Sequence, residues 1–360
     1  MLQLQTISLV QFRNYVQSNF SFSERIIALC GKNGVGKTNF LDAIYYLSFT
    51  RSYFSRPESQ SVHHGLQGMR IDGNYLINDK NTQLRCIVRE NNRKEFYFNE
   101  DEYKRFSEHI GKIPCVMIAP DDVELITGNS EERRKFIDTI LSQCNAAYLQ
   151  WLIDYNKILQ QRNSLLKATA EHNRLDESLL ETLDEQLSKK GQLIFDVRKE
   201  FLLNFIQSVK KQYQYIAQKG DDISIEYDSQ LLTASMKELL QSNQQRDLYL
   251  QRTGCGIHKD DLSILMNDQS FKTLASQGQR KSLLFAFKLA EFEVLKKQKQ
   301  ITPILLLDDV FEKLDAERMH HLLHKVCIEE TGQVFITDTN KERLSASLQA
   351  IDVTFQLIEL

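Results

Sequence analysis

What this 360-residue chain lacks narrows its role before any motif is read. No stretch approaches the roughly 18 consecutive apolar residues that a bilayer-spanning helix needs, so a soluble protein is expected. Cys30, Cys86, Cys115, Cys144, Cys255 and Cys327 form no CxxC pair and no cluster with histidine. Scattered singly, they read as reduced thiols filling a core, which argues against a disulfide framework or a zinc site and for the cytoplasm. The opening MLQLQTISLVQFRNY alternates polar and apolar residues, so no signal peptide is expected. Charge of neither sign dominates: the net charge is −3, and any DNA contact must come from a local basic patch. Internal repeats and low-complexity tracts are also missing.

What is present is ordinary globular material, 42% hydrophobic and 26% charged, long enough for two to three domain-sized units. The first 120 or so residues read as strands around one helix. Leu2 to Phe12 alternates, Arg25 to Cys30 ends in a buried-type apolar run, and residues 70–98 suggest an antiparallel meander. Beyond Glu131 the period lengthens. Leu152, Tyr155, Leu159 and Leu166 mark one helical stripe, and Leu179, Leu183, Leu187, Ile194, Phe201 and Phe205 mark another. From Asp176 to Gln218 there is no proline and one glycine, Gly191, which predicts a helix of more than about 25 residues. The break at 171–174 makes either a helical hairpin arm or an ordinary helical subdomain. Strand pattern returns after Gln251, followed by a helix from Arg280 to Lys297 and the apolar run Ile304 to Leu307.

Gly31-Lys32-Asn33-Gly34-Val35-Gly36-Lys37-Thr38 fits GxxxxGK[ST] between a buried strand and a helix beginning at Lys37. The glycines let successive backbone N–H groups turn inward around phosphate oxygens, and the helix N-terminus adds partial positive charge. Together with Asn39, this segment is the candidate nucleotide-binding loop. Lys37 would neutralise the β and γ phosphates of ATP, and the Thr38 hydroxyl would ligate Mg²⁺. The apolar run then delivers Asp308 to the Mg²⁺ shell and Asp309 to the attacking water. Thr38 and Asp308 lie 270 positions apart, a spacing unlike that of small kinases and GTPases, and the guanine-reading NKxD is missing, since Asn340-Lys341-Glu342-Arg343 lacks its aspartate.

Leu274-Ala275-Ser276-Gln277-Gly278-Gln279 precedes the Arg280 helix and resembles the LSGGQ signature of ABC-type ATPases, with Ser276, Gly278 and Gln279 matching. Its plainer reading is a helix cap. In that superfamily the loop closes over γ-phosphate bound to another subunit, which implies an ATP-dependent homodimer. Glu312-Lys313-Leu314-Asp315 resembles the D-loop. Phe12-Arg13-Asn14-Tyr15, Arg51-Ser52, Ala119-Pro120-Asp121-Asp122, Gly128 with Glu132 to Asp138, Gln161 to Lys167 and His258 to Leu262 narrow the match. With these segments the whole chain resembles the RecF family of bacterial recombination proteins, SMC-like members of the ABC class.

The resemblance implies an α/β fold, an ABC/SMC-type P-loop ATPase head with an inserted helical arm. The expected divisions are residues 1–125 and 251–360 for the two parts of the ATPase and 126–250 for the arm. It also implies a weak DNA-dependent ATPase acting in DNA replication, repair and the SOS response, with Lys37, Asp309 and Ser276 as its catalytic residues. Expected partners are double-stranded and gapped DNA with single-strand junctions, RecR-like and RecO-like mediators, and a recombinase to be loaded. Departures from the wider class are Asp309 for glutamate, Thr337-Asp338 where a switch histidine stands, Met117 to Asp122 where SMC proteins carry glutamine, and Gly256-Ile257-His258-Lys259 for GPHR.

Lys157, Arg162, Lys167, Lys189, Lys190, Lys210 and Lys211 on the arm are the candidate DNA contacts, each of which reads equally as a solvated helix face. Arg133 and Arg134 read as caps or ion pairs, and Arg13 and Arg51 as nucleotide-proximal or structural. Three other classes remain alternatives: a P-loop kinase, which would leave a phosphorylated product; another SMC-like or defence-associated DNA-processing ATPase; and an ABC transporter subunit.

Overall fold

Ile26–Cys30 is apolar at every position because it is covered on both faces, as strands of a parallel sheet are. It lies inside a five-stranded parallel sheet with the order Gln356–Glu359, Ile26–Cys30, Val334–Asp338, Ile304–Leu307, Cys115–Ile118. The computed structural model describes residues 1–54, 57–218, 221–313 and 315–360. These residues divide into two units. One comprises Met1–Asp122, Lys211–Lys219 and Gln277–Leu360, and the other Val123–Lys210 and Gly220–Ser276.

In the first unit a six-stranded antiparallel sheet runs in the order Tyr15–Ser21, Leu2–Phe12, Met69–Ile77, Lys80–Val88, Lys94–Phe98, Asp101–Glu102. The helix Lys37–Phe49 shares one hydrophobic core with both sheets, through Phe40, Ile44 and Leu47 against Leu4, Ile71, Leu84, Leu306 and Phe335. All of that helix is buried except Thr38 and Asn39. Packing on two sides therefore leaves outward only the turn that faces the loop.

The second unit holds the helices Ser130–Cys144, Ala146–His172, Glu177–Ala217 up to Lys210, and Met236–Leu250, with the antiparallel strands Ile223–Asp228, Asp261–Met266 and Gln269–Ser270. Asn145 caps the second of these helices by accepting from the amides of Ala147 and Tyr148. Asn173, in the left-handed conformation with φ 51°, ends it. The long helix expected from 176 onward is 41 residues, Glu177–Ala217, and its final turns from Lys211 pack within the first unit.

The boundary expected at residue 250 lies instead at Ser276. Asp261–Met266 pairs along its whole length with Ile223–Asp228, and Thr253 N and Gly254 N bond to Asn163 and Asp247. The strand pattern after Gln251 thus completes a sheet of the helical unit and does not begin the second half of the ATPase. Among the described residues no helix is long and apolar enough to cross a membrane. Five of the six cysteines are buried, as core fillers.

Candidate functional site: a phosphate loop beside two acidic strand ends

Parallel sheets bind ligands at the carboxyl ends of their strands. Register brings three such ends together here. Leu307 lies beside Ile336, and Thr337 and Asp338 lie beside Leu29 and Cys30. The phosphate loop therefore leaves its strand next to Thr337, and Asp308 leaves the adjoining strand next to the same residue.

The loop from Gly31 to Asn39 is braced from beneath. Gly36 has φ 114°, and a Cβ there would lie 2.5 Å from the Asn14 amide, so only glycine fits. Asn14 Nδ2 donates to Val35 O (2.8 Å), Asn39 Nδ2 donates to Asn14 Oδ1 (2.8 Å), and Tyr15 OH donates to Gly36 O (3.1 Å). Lys32, Asn33 and Gly34 are exposed, and a Cβ on Gly34 would meet nothing within 4 Å. The loop is closed below and open above. Lys37 is buried, its ammonium donating to Gly31 O (2.9 Å) and Lys32 O (3.2 Å) across the mouth of the loop.

Asp308 accepts from Thr38 Oγ1 and from Thr337 Oγ1, each at 2.8 Å, and its own amide donates to Ile118 O (2.8 Å). Burial pushes its carboxyl up to about 6, with Asp309 adding to the rise and the two hydroxyls and Lys37 opposing it. A buried carboxylate beside a hydroxyl is a hard-oxygen donor pair of the kind Mg²⁺ prefers, so Thr38 and Asp308 fit that ion. Asp309 is half-buried at φ 44°, and its amide donates to Thr337 Oγ1 (2.9 Å). Thr337 is thus the hub that sets both acidic residues, while its neighbour Asp338 is committed to Arg343. No motif singles out Thr337 as such a hub; register alone does.

Ser276 and Gln277 are exposed at the start of the helix Gln277–Lys299, with Gly278 and Gln279 half-buried behind them. A Cβ on Gly278 would collide with the Arg318 guanidinium, so this glycine makes room for that group. Arg318 pairs with Asp315, which caps the helix Ala316–His324, while Leu314 of the expected D-loop lies outside the described residues. Arg318 escaped the sequence reading because nothing local marks an arginine as a lid on a distant glycine. Arg13 is structural, bonded to Asp42 and Ser52, and Arg51 is exposed.

One candidate DNA contact is corrected outright. Arg162 is fully buried, paired with Asp184 (2.5 Å) and Asp247 (2.7 Å) and donating to Thr253, so it is not available to a phosphate. The helical stripe exposed its neighbours and turned this position inward. Lys157, Lys167, Lys189 and Lys211 are exposed; Lys190 and Lys210 are half-buried. Lys189 pairs with Glu185 and Lys190 with Asp154, and Lys157, Lys189 and Lys190 line a cleft of about 360 Å³. Arg133 is an ion-pair residue on Asp261, and Arg134 donates to Asp260 O.

Residues 3–358 match the family model described as RecF/RecN/SMC N terminal domain. The chain is 41% identical over 359 residues to the DNA replication and repair protein RecF of Flavobacterium johnsoniae, covering 100% of both chains. A solved structure of the recombination mediator protein RecF with ATPrS, in the RecFOR pathway, is similar with a TM-score of 0.89 and 30% identity, over 100% of this chain and 96% of that one. The Smc head domain of Pyrococcus furiosus, at 17% identity and a TM-score of 0.55 over 96% and 92% of the two chains, shares the ABC-type ATPase fold. With sequence identity, fold and the order of its phosphate-site motifs in agreement, the chain belongs to the RecF family of DNA replication and repair proteins.

Proposed function

We propose that this chain is a slow, DNA-dependent ATPase that dimerises on ATP and helps load a recombinase at gaps and single-strand junctions. The carrying observation is the meeting of Lys37, Thr38, Asp308, Asp309 and Thr337 at three neighbouring strand ends beside an open glycine loop. ATP entering the loop draws the Lys37 ammonium from the carbonyls of Gly31 and Lys32 onto its β and γ phosphates. Thr38 and Asp308 would hold Mg²⁺, which when bound would neutralise phosphate charge. Asp309, oriented through its amide on Thr337, polarises the attacking water.

The exposed Ser276, with the helix N-terminus behind it, takes the γ-phosphate held by a second copy, giving a two-fold dimer that parts when that phosphate leaves. The work is done in the cytoplasm beside the chromosome, a reading that likeness to DNA replication and repair proteins supports. RecR-like and RecO-like mediators are its partners, a reading supported by the RecFOR pathway named for the solved relative. DNA is held by the remaining arm lysines, Lys157, Lys167, Lys189, Lys190, Lys210 and Lys211.

Oligomeric state and turnover, measured with and without ATP and duplex DNA, test this. Wild type is expected to dimerise only with ATP. Lys37→Met and Asp308→Asn should lower turnover by at least about a hundred-fold, and Ser276→Arg should stay monomeric. Dimerisation of Ser276→Arg at wild-type ATP levels would sink the shared-site reading.

A further inference from the structure

A second polar cluster lies buried in the first unit, away from the acidic strand ends, and the chemistry of ATP does not use it. At its centre is Lys288, three turns into the helix that starts at the signature segment and 6% exposed. Its ammonium lies 3.2 Å from Asp122 Oδ2, donates to Tyr53 OH (3.2 Å) and sits 5.6 Å over the Tyr53 ring. Tyr53 OH in turn donates to Asp122 Oδ1, and Asp122 Oδ2 also accepts from Ala119 N (2.9 Å).

The cluster continues to the phosphate loop. Tyr53 N donates to Asp42 Oδ1 (2.7 Å), and Asp42, fully buried, also accepts from Ser52 and Arg13 (both 2.8 Å). Asp42 lies one helical turn beyond Thr38, the candidate Mg²⁺ ligand. Ala119 follows Ile118, whose carbonyl accepts from Asp308 N. Two segments therefore meet the ammonium that the signature helix carries: Tyr53, just past the phosphate-loop helix, and Asp122, in the turn after the strand that backs Asp308.

One turn past Lys288 lies Glu291, 3% exposed, with Oε2 making no hydrogen bond among the described residues. Burial pushes its carboxyl up to about 7, Lys288 opposing and Asp122 adding. Were Glu291 ionised, two buried carboxylates would compete for one ammonium. Below that pH Glu291 carries its proton, and Lys288 is left to Asp122.

A buried ion pair is a costly way to glue a core, because desolvation cancels much of the attraction and apolar side chains of like volume do as well or better. What the pair adds is direction. We propose that Lys288 is a positioning residue: through Asp122, Tyr53 and Asp42 it makes the stance of the signature helix depend on whether the phosphate loop of the same chain is filled. This rests on the function proposed above, and it explains how a chain would present its serine turn to a partner only after taking up its own nucleotide.

The test uses full-length protein. Lys288→Met is expected to bind a fluorescent ATP analogue within about two-fold of wild type but to need about ten-fold more ATP to dimerise, a coupling loss of ordinary size. Lys288→Arg should recover most of it. Glu291→Gln, isosteric with the protonated acid, should behave as wild type at pH 6. Tyr53→Phe keeps the ring but loses both hydrogen bonds of the hydroxyl, and should shift dimerisation by about three- to ten-fold; it decides the matter if Lys288→Met does not fold.

Hydrogen exchange of residues 281–295 separates this idea from the dimer model. In the Ser276→Arg background, ATP should slow exchange there when Lys288 is present and leave it unchanged with Lys288→Met. If wild type fails to dimerise but this response appears, the dimer model falls and the positioning role stands. If neither Lys288→Met nor Tyr53→Phe alters dimerisation or the exchange response, the positioning role is wrong.

Discussion

The two units bury charge for different ends. In the first, the polar groups at the carboxyl ends of Ile26–Cys30, Ile304–Leu307 and Val334–Asp338 converge on a loop open to solvent, and Asp308 is held by two hydroxyls and, among the described residues, by no ion pair. That is a hard-oxygen donor set of the kind divalent cations prefer. In the second unit, Arg162 and Arg198 are buried with carboxylates already supplied. Arg198 holds Asp138 and Asp260 at 2.8 Å each, donates to Ile257 O, and has Tyr148 OH at 3.0 Å. Satisfied charge gives a fixed arm, and charge awaiting a partner gives a site. Burial by itself does not tell the two apart; the state of the partners does.

The sharpest way to break this contrast is Arg198→Met. Removing one member of a buried ion cluster leaves Asp138 and Asp260 uncompensated and should cost about 3 to 5 kcal/mol. Exchange in Glu177–Ala217 and Asp261–Met266 should accelerate strongly, while nucleotide binding at Lys37 persists. An arm as protected as in wild type would mean that its apolar core, not the arginine, carries its stability.

A smaller effect follows from His258, which is half-buried and neutral, accepting from Tyr155 OH (2.8 Å) and donating to Thr253 O. Burial holds it down at about 4, against an ordinary value of 6.5. The unfolded chain takes up a proton as pH drops below about 6.5 and the folded chain resists until about 4, so stability falls across that window by up to about 3 kcal/mol. The difference between wild type and His258→Gln in denaturant midpoints, followed from pH 7 to 4.5, should therefore shrink steadily. A constant difference would show that the imidazole takes up its proton in the fold as readily as in the unfolded chain.

The smallest effect belongs to the arm lysines. Lys189→Gln loses only an exposed, solvent-screened pair with Glu185 and should leave the stability of the fold unchanged. If Lys189 meets DNA, the same change should flatten the log–log salt dependence of binding by about 0.9. An unchanged slope would remove it from the DNA surface.

Contiguous chemistry was legible. The glycine loop with Lys37 and Thr38, and the apolar run ending in Asp308 and Asp309, each declare themselves within eight residues, because a loop and a strand end are local objects. The helical arm was legible from its period. Thr337 as a hub, Arg318 over Gly278 and the Lys288 cluster were not, since each joins residues far apart in the chain. Arg162 shows the limit most plainly: a basic residue on a helix with a polar face reads as solvated, yet Asp184 and Asp247 arrive from two other helices to bury it.

Sequence alone determined that a phosphate loop, an acidic strand end and a signature turn exist in one chain, because each depends on backbone conformations and side chains set by a short run of residues. Tertiary structure decided which of them meet. Register placed Thr337 between the two acidic residues, strand pairing moved the unit boundary from 250 to Ser276, and packing sorted the arginines into buried braces and exposed charges. Those outcomes depend on which distant segments exclude water from one another, and no local pattern encodes that.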